Sequence, residues 1–144
     1  MAEDLPKSLE GPVDATAYRV EARANGAIPQ WSPVVLVAPA AGEEMPRVGT
    51  TTTLGDANHF GVKDAPNKTL VAGDFCWVVV NGITKCKFLA ASGRGTLFQA
   101  SGTAGKATLL TLAVIGDVPK IMGKVLSSIV AADNDIGLVD VEHS

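Results

Sequence analysis

The chain is poor in the residues from which most metal and catalytic sites are built. Among its 144 residues there are two cysteines and two histidines, so the soft or imidazole metal ligands are Cys76, Cys86, His59 and His143. No two of them have the spacing of a zinc site. We therefore expect no metal and no cofactor, and we interpret them as a loop histidine, a tail histidine and two small core cysteines.

The motifs of nucleophilic and phosphate chemistry are also missing. The chain has no Gly-x-Ser-x-Gly sequence. Residues 102–107 resemble a phosphate-binding loop only superficially, because Ala100 stands where the first glycine belongs and Ala107 follows the lysine. The acidic turn at 133–135 lacks the glycine and glutamate positions of an EF-hand. We expect a protein that is not an enzyme. A small β-barrel enzyme that uses Cys76 or His59 stays open as an alternative.

The chain has neither a large excess of one charge nor a long apolar run. The net charge is −3 and the pI is about 5.3, so the chain has no basic footprint for nucleic acid. The longest apolar stretch, Val34–Ala41, contains Pro39 and is too short to span a bilayer. The acidic start of the chain is followed by no apolar run, so no signal peptide is expected. Together with two cysteines, this indicates synthesis in a reducing compartment, with neither nucleic acid nor a membrane as partner.

What the chain does contain is typical of an all-β protein. With 47% hydrophobic and 19% charged residues it can bury a core, and turn signals recur about every ten residues. We expect a small β-barrel or β-sandwich over residues 31–144, preceded by an extended N-terminal arm, residues 1–30. Besides the segment 75–88, the predicted strands are Trp31–Val37, Arg47–Leu54, Phe60–Val62, Thr96–Ala100, Ala107–Ile115, Val125–Val130 and Ile136–Val141. Within the arm, the alternating run Tyr18–Arg23 allows one further short strand.

The segment 75–88 predicts a β-hairpin, because two β-rich runs flank the pair Asn81-Gly82, which favours a type I′ turn. Residues paired across such a turn share a face of the hairpin. One face would then be a core with three large rings: Phe75, Trp77, Val79, Thr84, Cys86 and Phe88. The other would carry Cys76, Val78, Val80, Ile83, Lys85 and Lys87. The two cysteines would point to opposite faces, which predicts two free thiols.

Five short segments, taken in order, resemble a known family. They are Phe60-Gly61-Val62, Ala72-Gly73-Asp74, Asn81-Gly82-Ile83, a Gly-Lys-Val-Leu run at 123–126 and a Gly-Leu-Val-Asp-Val run at 137–141. In this order, over roughly residues 31 to 144, the chain is similar to the small capsid decoration (cement) proteins of tailed bacteriophages.

That resemblance implies a function without catalysis. A protein of this kind is a β-barrel or sandwich that binds the major capsid protein on the outer surface of the capsid and clamps neighbouring capsomers. Such proteins act as oligomers, often trimers. The implied location is the outside of the virion, after synthesis in the host cytoplasm. Many copies on a symmetric lattice would multiply modest contacts through avidity.

Two groups of residues are candidates for partner binding. Trp31 and the segment before it form the first, since Trp is favoured at interface hot spots, and the lysines of the predicted hairpin form the second. The alternatives are a Trp31 buried in its own core and a solvated lysine face. The candidates are Tyr18, Arg19, Arg23, Trp31, Lys85 and Lys87.

Other functions stay open from the residues alone. The chain could be a tail or receptor-binding β-module, although it has only one Tyr, four Phe and two Trp for a glycan site. It could also be a head–tail minor structural protein. The number of copies in a purified particle separates decoration from tail.

Overall fold

The computed structural model describes residues 17–90, 92–127 and 135–142, and within them the chain is nearly all β. The predicted all-β class and barrel are therefore confirmed. No helix in the described part is long and apolar enough to cross a membrane. The strands are β1 (Tyr18–Ala24), β2 (Pro33–Val37), β3 (Arg47–Gly49), β4 (His59–Ala65), β5 (Phe75–Phe88), β6 (Leu97–Ala100), β7 (Ala107–Leu110), β8 (Gly123–Val125) and β9 (Asp135–Glu142), with a 3-10 helix at Ile115–Lys120 between β7 and β8.

Strand β5 organises the whole sheet. The strand order is β1-β3-β2-β4-β5-β7-β6-β8-β9, and two additional pairings join β1 to β5 and β5 to β9. These pairings close two circuits of five strands each, and β5 belongs to both. A strand of 14 residues is long enough for this, because it spans roughly 45 Å. Its first half pairs with β1 and β4, and its second half pairs with β9.

The predicted hairpin is wrong. Asn81 and Gly82 lie inside the continuous strand β5, and Gly82 has a φ of 120° there. Asn81 pairs with both Tyr18 of β1 and Glu142 of β9, so it marks the point where β5 changes partners. Sequence-distant strands supply the hydrogen bonds of both halves, and β5 therefore continues where a local turn was expected.

The faces predicted from the hairpin change with it. In one continuous strand the side chains alternate, so the even-numbered residues of β5 share a face. That face carries the buried Cys76 and Val78 in one half and Cys86 and Phe88 in the other. Of the three rings assigned to the core, only Phe88 is buried, because Phe75 and Trp77 point outward. The two thiols are free, as predicted, but for another reason: they lie ten positions apart along one strand.

Each circuit has its own core. The first circuit encloses Ala22, Ala24, Ile28, Val34, Val48, Leu70, Cys76, Val78 and Val80. The second core includes Cys86, Phe88, Phe98, Ala107, Met122, Val125, Val139 and Val141. Phe88 and Phe98 meet edge to face, with ring centroids 5.8 Å apart. The cysteines therefore lie in separate cores.

The N-terminal boundary also differs from the prediction. Tyr18–Ala24 forms β1, which pairs with β5 over six residues and with β3 over two. The β fold thus includes residues from Ala17 onward, and the boundary at residue 30 is corrected. Ala22 and Ala24 are fully buried in the first core, which explains why this segment joins the barrel. The rest of the predicted arm, residues 1–16, lies outside the described residues.

Two predicted strands end early because side chains capture the backbone. After Gly49, the Thr51 hydroxyl accepts a hydrogen bond from Thr53 N and donates to Asp56 Oδ2 at 2.7 Å. Such local bonds compete with a strand ladder. After Leu110, the Asp117 carboxylate accepts hydrogen bonds from Ala113 N and Val114 N, and the chain continues as the 3-10 helix instead of as a strand. Residues 128–130, the end of the predicted strand Val125–Val130, and the acidic turn at 133–134 lie outside the described residues.

Candidate partner-binding surface

The outer side of β1 and β5 presents large rings to solvent. Phe75 is 49% exposed and Trp77 is 44% exposed, on adjacent outward positions of β5. Across the pairing, Arg23 lies opposite Phe75 and Glu21 lies opposite Trp77. Tyr18, which is 65% exposed, begins the same strand as Arg23. We call Phe75, Trp77, Arg23 and Glu21 the aromatic face; Tyr18 pairs with Asn81, further along β5.

The charged residues beside the aromatic face are held in place. The guanidinium of Arg23 lies 4.5 Å from the centre of the Phe75 ring, and its Nε lies 2.8 Å from Glu43 Oε2. Glu43 also accepts two hydrogen bonds from Arg47, at 3.0 and 3.2 Å. The Arg47 hydrogen bond is the main cause of the lowered pKa of Glu43. Two arginines share the Glu43 carboxylate here, and Glu21 opposite Trp77 adds a second negative charge, so the charges beside the rings balance.

Arg19 has a structural position rather than a place on the aromatic face. Its Nε lies 3.8 Å from the fully buried Asp64, and its Nη1 donates to Ala17 O at 3.2 Å. Arg19 is on β1 and Asp64 is on β4, so the ion pair reaches across the intervening β5. We therefore assign Arg19 to the stability of the first circuit.

Trp31 is buried beside Lys85 and Lys87, which are themselves half-buried. Trp31 is 5% exposed and has a φ of 61°. The Nζ of Lys85 lies 5.6 Å from the centre of the Trp31 ring, and Lys87 N donates to Trp31 O at 2.9 Å. The indole offers no surface to a partner, in keeping with the alternative that Trp31 belongs to its own core. The contact fastens the segment before β2 to the second half of β5.

Sequence reasoning missed Phe75 and Trp77 as surface residues. The predicted hairpin placed Phe75 and Trp77 on the core face and Val78 and Val80 on the opposite face, whereas in the structure the two valines are buried and the two rings are exposed. A signal was present, because Cys76, Val78 and Val80 alternate with the two rings and form a small, apolar inward set. Treating 75–88 as one strand would have placed both rings outside.

The described residues contain no cluster suited to metal or thiol chemistry. Within residues 17–90, 92–127 and 135–142, no three His, Cys, Asp or Glu side chains are grouped to hold a metal ion. Burial raises the pKa of the Cys76 thiol to about 11 and that of Cys86 further still. Thiols in such surroundings stay protonated near neutral pH and are poor nucleophiles.

Two buried charges follow each other on β4. Lys63 is fully buried, and its ammonium donates to Gln30 Oε1, to Pro66 O and, at 2.6 Å, to Lys68 O. Burial lowers the pKa of Lys63 to about 8. Burial also raises the pKa of Asp64 to about 6, against the opposing effects of Arg19 and Lys63. Lys63 thus ties the turn after β4 to the segment before β2.

The raised pKa of Asp64 predicts a pH-dependent stability. The folded state holds this proton up to about pH 6 and the unfolded state only to about 3.8, so the contribution is greatest below pH 4 and declines toward pH 6. Asp64→Asn should flatten the free energy of unfolding across this window, measured by urea titration at several pH values. The exposed Glu44→Gln serves as control, and an unchanged slope in Asp64→Asn would contradict the assignment.

The comparisons with known proteins find a shared fold. A crystal structure of the N base of the head fiber gp8.5 in bacteriophage phi29 superposes with a TM-score of 0.58 at 11% sequence identity. The match covers 88% of this chain and 94% of that chain. No protein-family model matches the sequence, and no curated protein matches it. At this identity the likeness shows the fold.

Proposed function

We propose that the chain is a structural protein of a bacteriophage head that binds the outer surface of the capsid and stabilises contacts between capsomers. Its partners in this proposal are the major capsid protein and further copies of itself, with a trimer favoured. The main support is the fold shared along nearly the whole length of both chains with the base of a phage head fiber. The decoration-protein resemblance of residues 31–144 points the same way.

The aromatic face supports a contact role. Interface hot spots are enriched in Trp, Tyr and Arg, and Trp77 and Arg23 lie here beside Phe75 on neighbouring strands. Because β1 and β5 belong to a closed circuit, their outer side chains are presented on a rigid backbone. Binding through such a surface loses little conformational entropy. We propose that this face contacts the capsid.

The experiment measures occupancy on particles that lack the protein. The double variant Phe75→Ala with Trp77→Ala should weaken binding at least tenfold, because losing two large rings from an interface centre costs more than about 1.4 kcal/mol. Leu36→Ala is a matched control, since Leu36 is also 44% exposed on the first circuit. Bound protein is quantified after sedimentation of the particles, and melting temperatures verify folding. Equal occupancy of the double variant and wild type would contradict the proposed face.

A second candidate is the base of a fiber on the head, which the fold shared with the N base of the phi29 head fiber favours. Copy number and imaging separate the two. Decoration requires a number of copies that matches the capsomer lattice, with no projection beyond the domain. A fiber base requires a filament extending from each attached copy, and a tail or head–tail protein would be present in only a few copies at one vertex.

A further inference from the structure

A second apolar surface lies far along the chain from the aromatic face. Four aliphatic side chains within seven residues are exposed around the start of the 3-10 helix. Leu112 is 48% exposed, Val114 65%, Ile115 90% and Val118 51%. We call these four residues the apolar tip. It lies between β7 and β8 of the second circuit, whereas the rings of the aromatic face lie on the first.

The apolar tip is held in one conformation by Asp117. The carboxylate accepts hydrogen bonds from Ala113 N at 3.0 Å, Val114 N at 3.2 Å and Lys120 Nζ at 2.8 Å. At the other end, Pro119 O lies 3.0 Å from His59 Nε2. These bonds keep apolar side chains in solvent at a fixed place, although a free loop could fold them inward. A partner that covers them would have little ordering entropy to overcome.

The segment that carries the apolar tip has no net charge. The charged residues of the segment 111–121 are Asp117 and Lys120, and they neutralise each other. The whole chain has a net charge of −3, so two copies carry a net repulsion that an uncharged contact does not add to. A neutral apolar surface is where identical molecules can approach without like-charge repulsion, because it is complementary to itself.

We propose that the apolar tip is the contact through which copies of this chain associate with one another. This inference rests on the self-association included in the proposed function and assigns residues to it. A fully exposed Val, Leu or Ile side chain offers roughly 100 Å² of apolar surface. Because the four tip side chains are only partly exposed, two tips together bury on the order of 500 Å². Stable complexes bury about 1,200–2,000 Å². Association in free solution is therefore weak, and it strengthens where neighbouring sites on a particle raise the effective concentration.

The test uses the purified full chain in sedimentation-velocity runs across a wide concentration range. The wild type should show a rising average mass at high concentration. Ile115→Asp should raise the dissociation constant at least tenfold, because it places like charges at the centre of the contact. Val118→Ser tests the same surface without adding charge. Val71→Asp is the matched control, since Val71 is 63% exposed but lies before β5, away from the tip.

Each outcome decides the inference. A wild type that stays monomeric at all concentrations, or tip variants that associate as the wild type does, would overturn it. Loss of association in Phe75→Ala with Trp77→Ala, but not in the tip variants, would assign self-contact to the aromatic face instead. Particle occupancy tests the proposed function separately. Tip variants that bind particles normally as single copies would leave capsid binding intact while confirming the tip as the contact between copies.

Discussion

Phe88→Ala is expected to lower the free energy of unfolding by about 3–5 kcal/mol, the usual cost of removing a fully buried phenylalanine ring. The ring lies in the second core and packs edge to face on Phe98. Its strand is shared by both circuits, so the cavity cannot close by moving β5 without disturbing the first core. Urea denaturation should show a loss that corresponds to a melting temperature lower by roughly 10 °C or more.

Phe75→Ala is the matched control, because it removes the same side chain from the other end of the same strand. Phe75 is 49% exposed, and its main described contact is the Arg23 guanidinium over its ring. We expect a loss of about 1 kcal/mol or less. A hairpin at Asn81-Gly82 would pair the two rings on one core face, and both variants would then be strongly destabilised. Equal losses would therefore refute the continuous strand.

The all-β class could be predicted from the sequence because it depends on local signals. Short β-branched runs and frequent turn residues predicted β2, β6 and β9 close to their observed positions. The path of β5 could not be predicted in this way. An Asn-Gly pair favours a turn locally, but β9 lies about fifty residues further on and provides eight pairing positions to the second half of β5. Long-range pairing outweighed the local preference.

The surface around Phe75 and Trp77 could not be predicted from the sequence, because it too depends on the path of β5. Tyr18 and Arg23 were selected as candidates for partner binding, which stays a prediction; Tyr18 is exposed, and Arg23 lies over the Phe75 ring. The two rings were assigned to the core because the turn prediction set their face. Trp31 could not be placed from sequence, since its burial depends on Lys85 and Lys87, which are distant in the chain. Side-chain type alone selected candidates for partner binding, whereas strand register decides which residues form the surface.

Gly61→Ala is expected to destabilise the protein by about 3 kcal/mol or more, at the upper end of the range for overpacking. A Cβ at this position would lie 2.2 Å from Val79 O and 2.8 Å from Val78 Cγ1. The carbonyl belongs to the backbone of β5, so it cannot rotate away as a side chain would. Relief requires β4 and β5 to separate where Val62 pairs with Val79, and both of these valines are buried in the second core.

Gly26→Ala and Gly116→Ala are the matched controls, because an added Cβ meets nothing within 4 Å at either position. We expect changes within about 0.5 kcal/mol of the wild type. Chemical denaturation of the three variants measures the difference, and near-ultraviolet circular dichroism reports whether the aromatic side chains as a group keep their surroundings. If Gly61→Ala were as stable as the controls, β4 and β5 would not approach as closely as the structure shows.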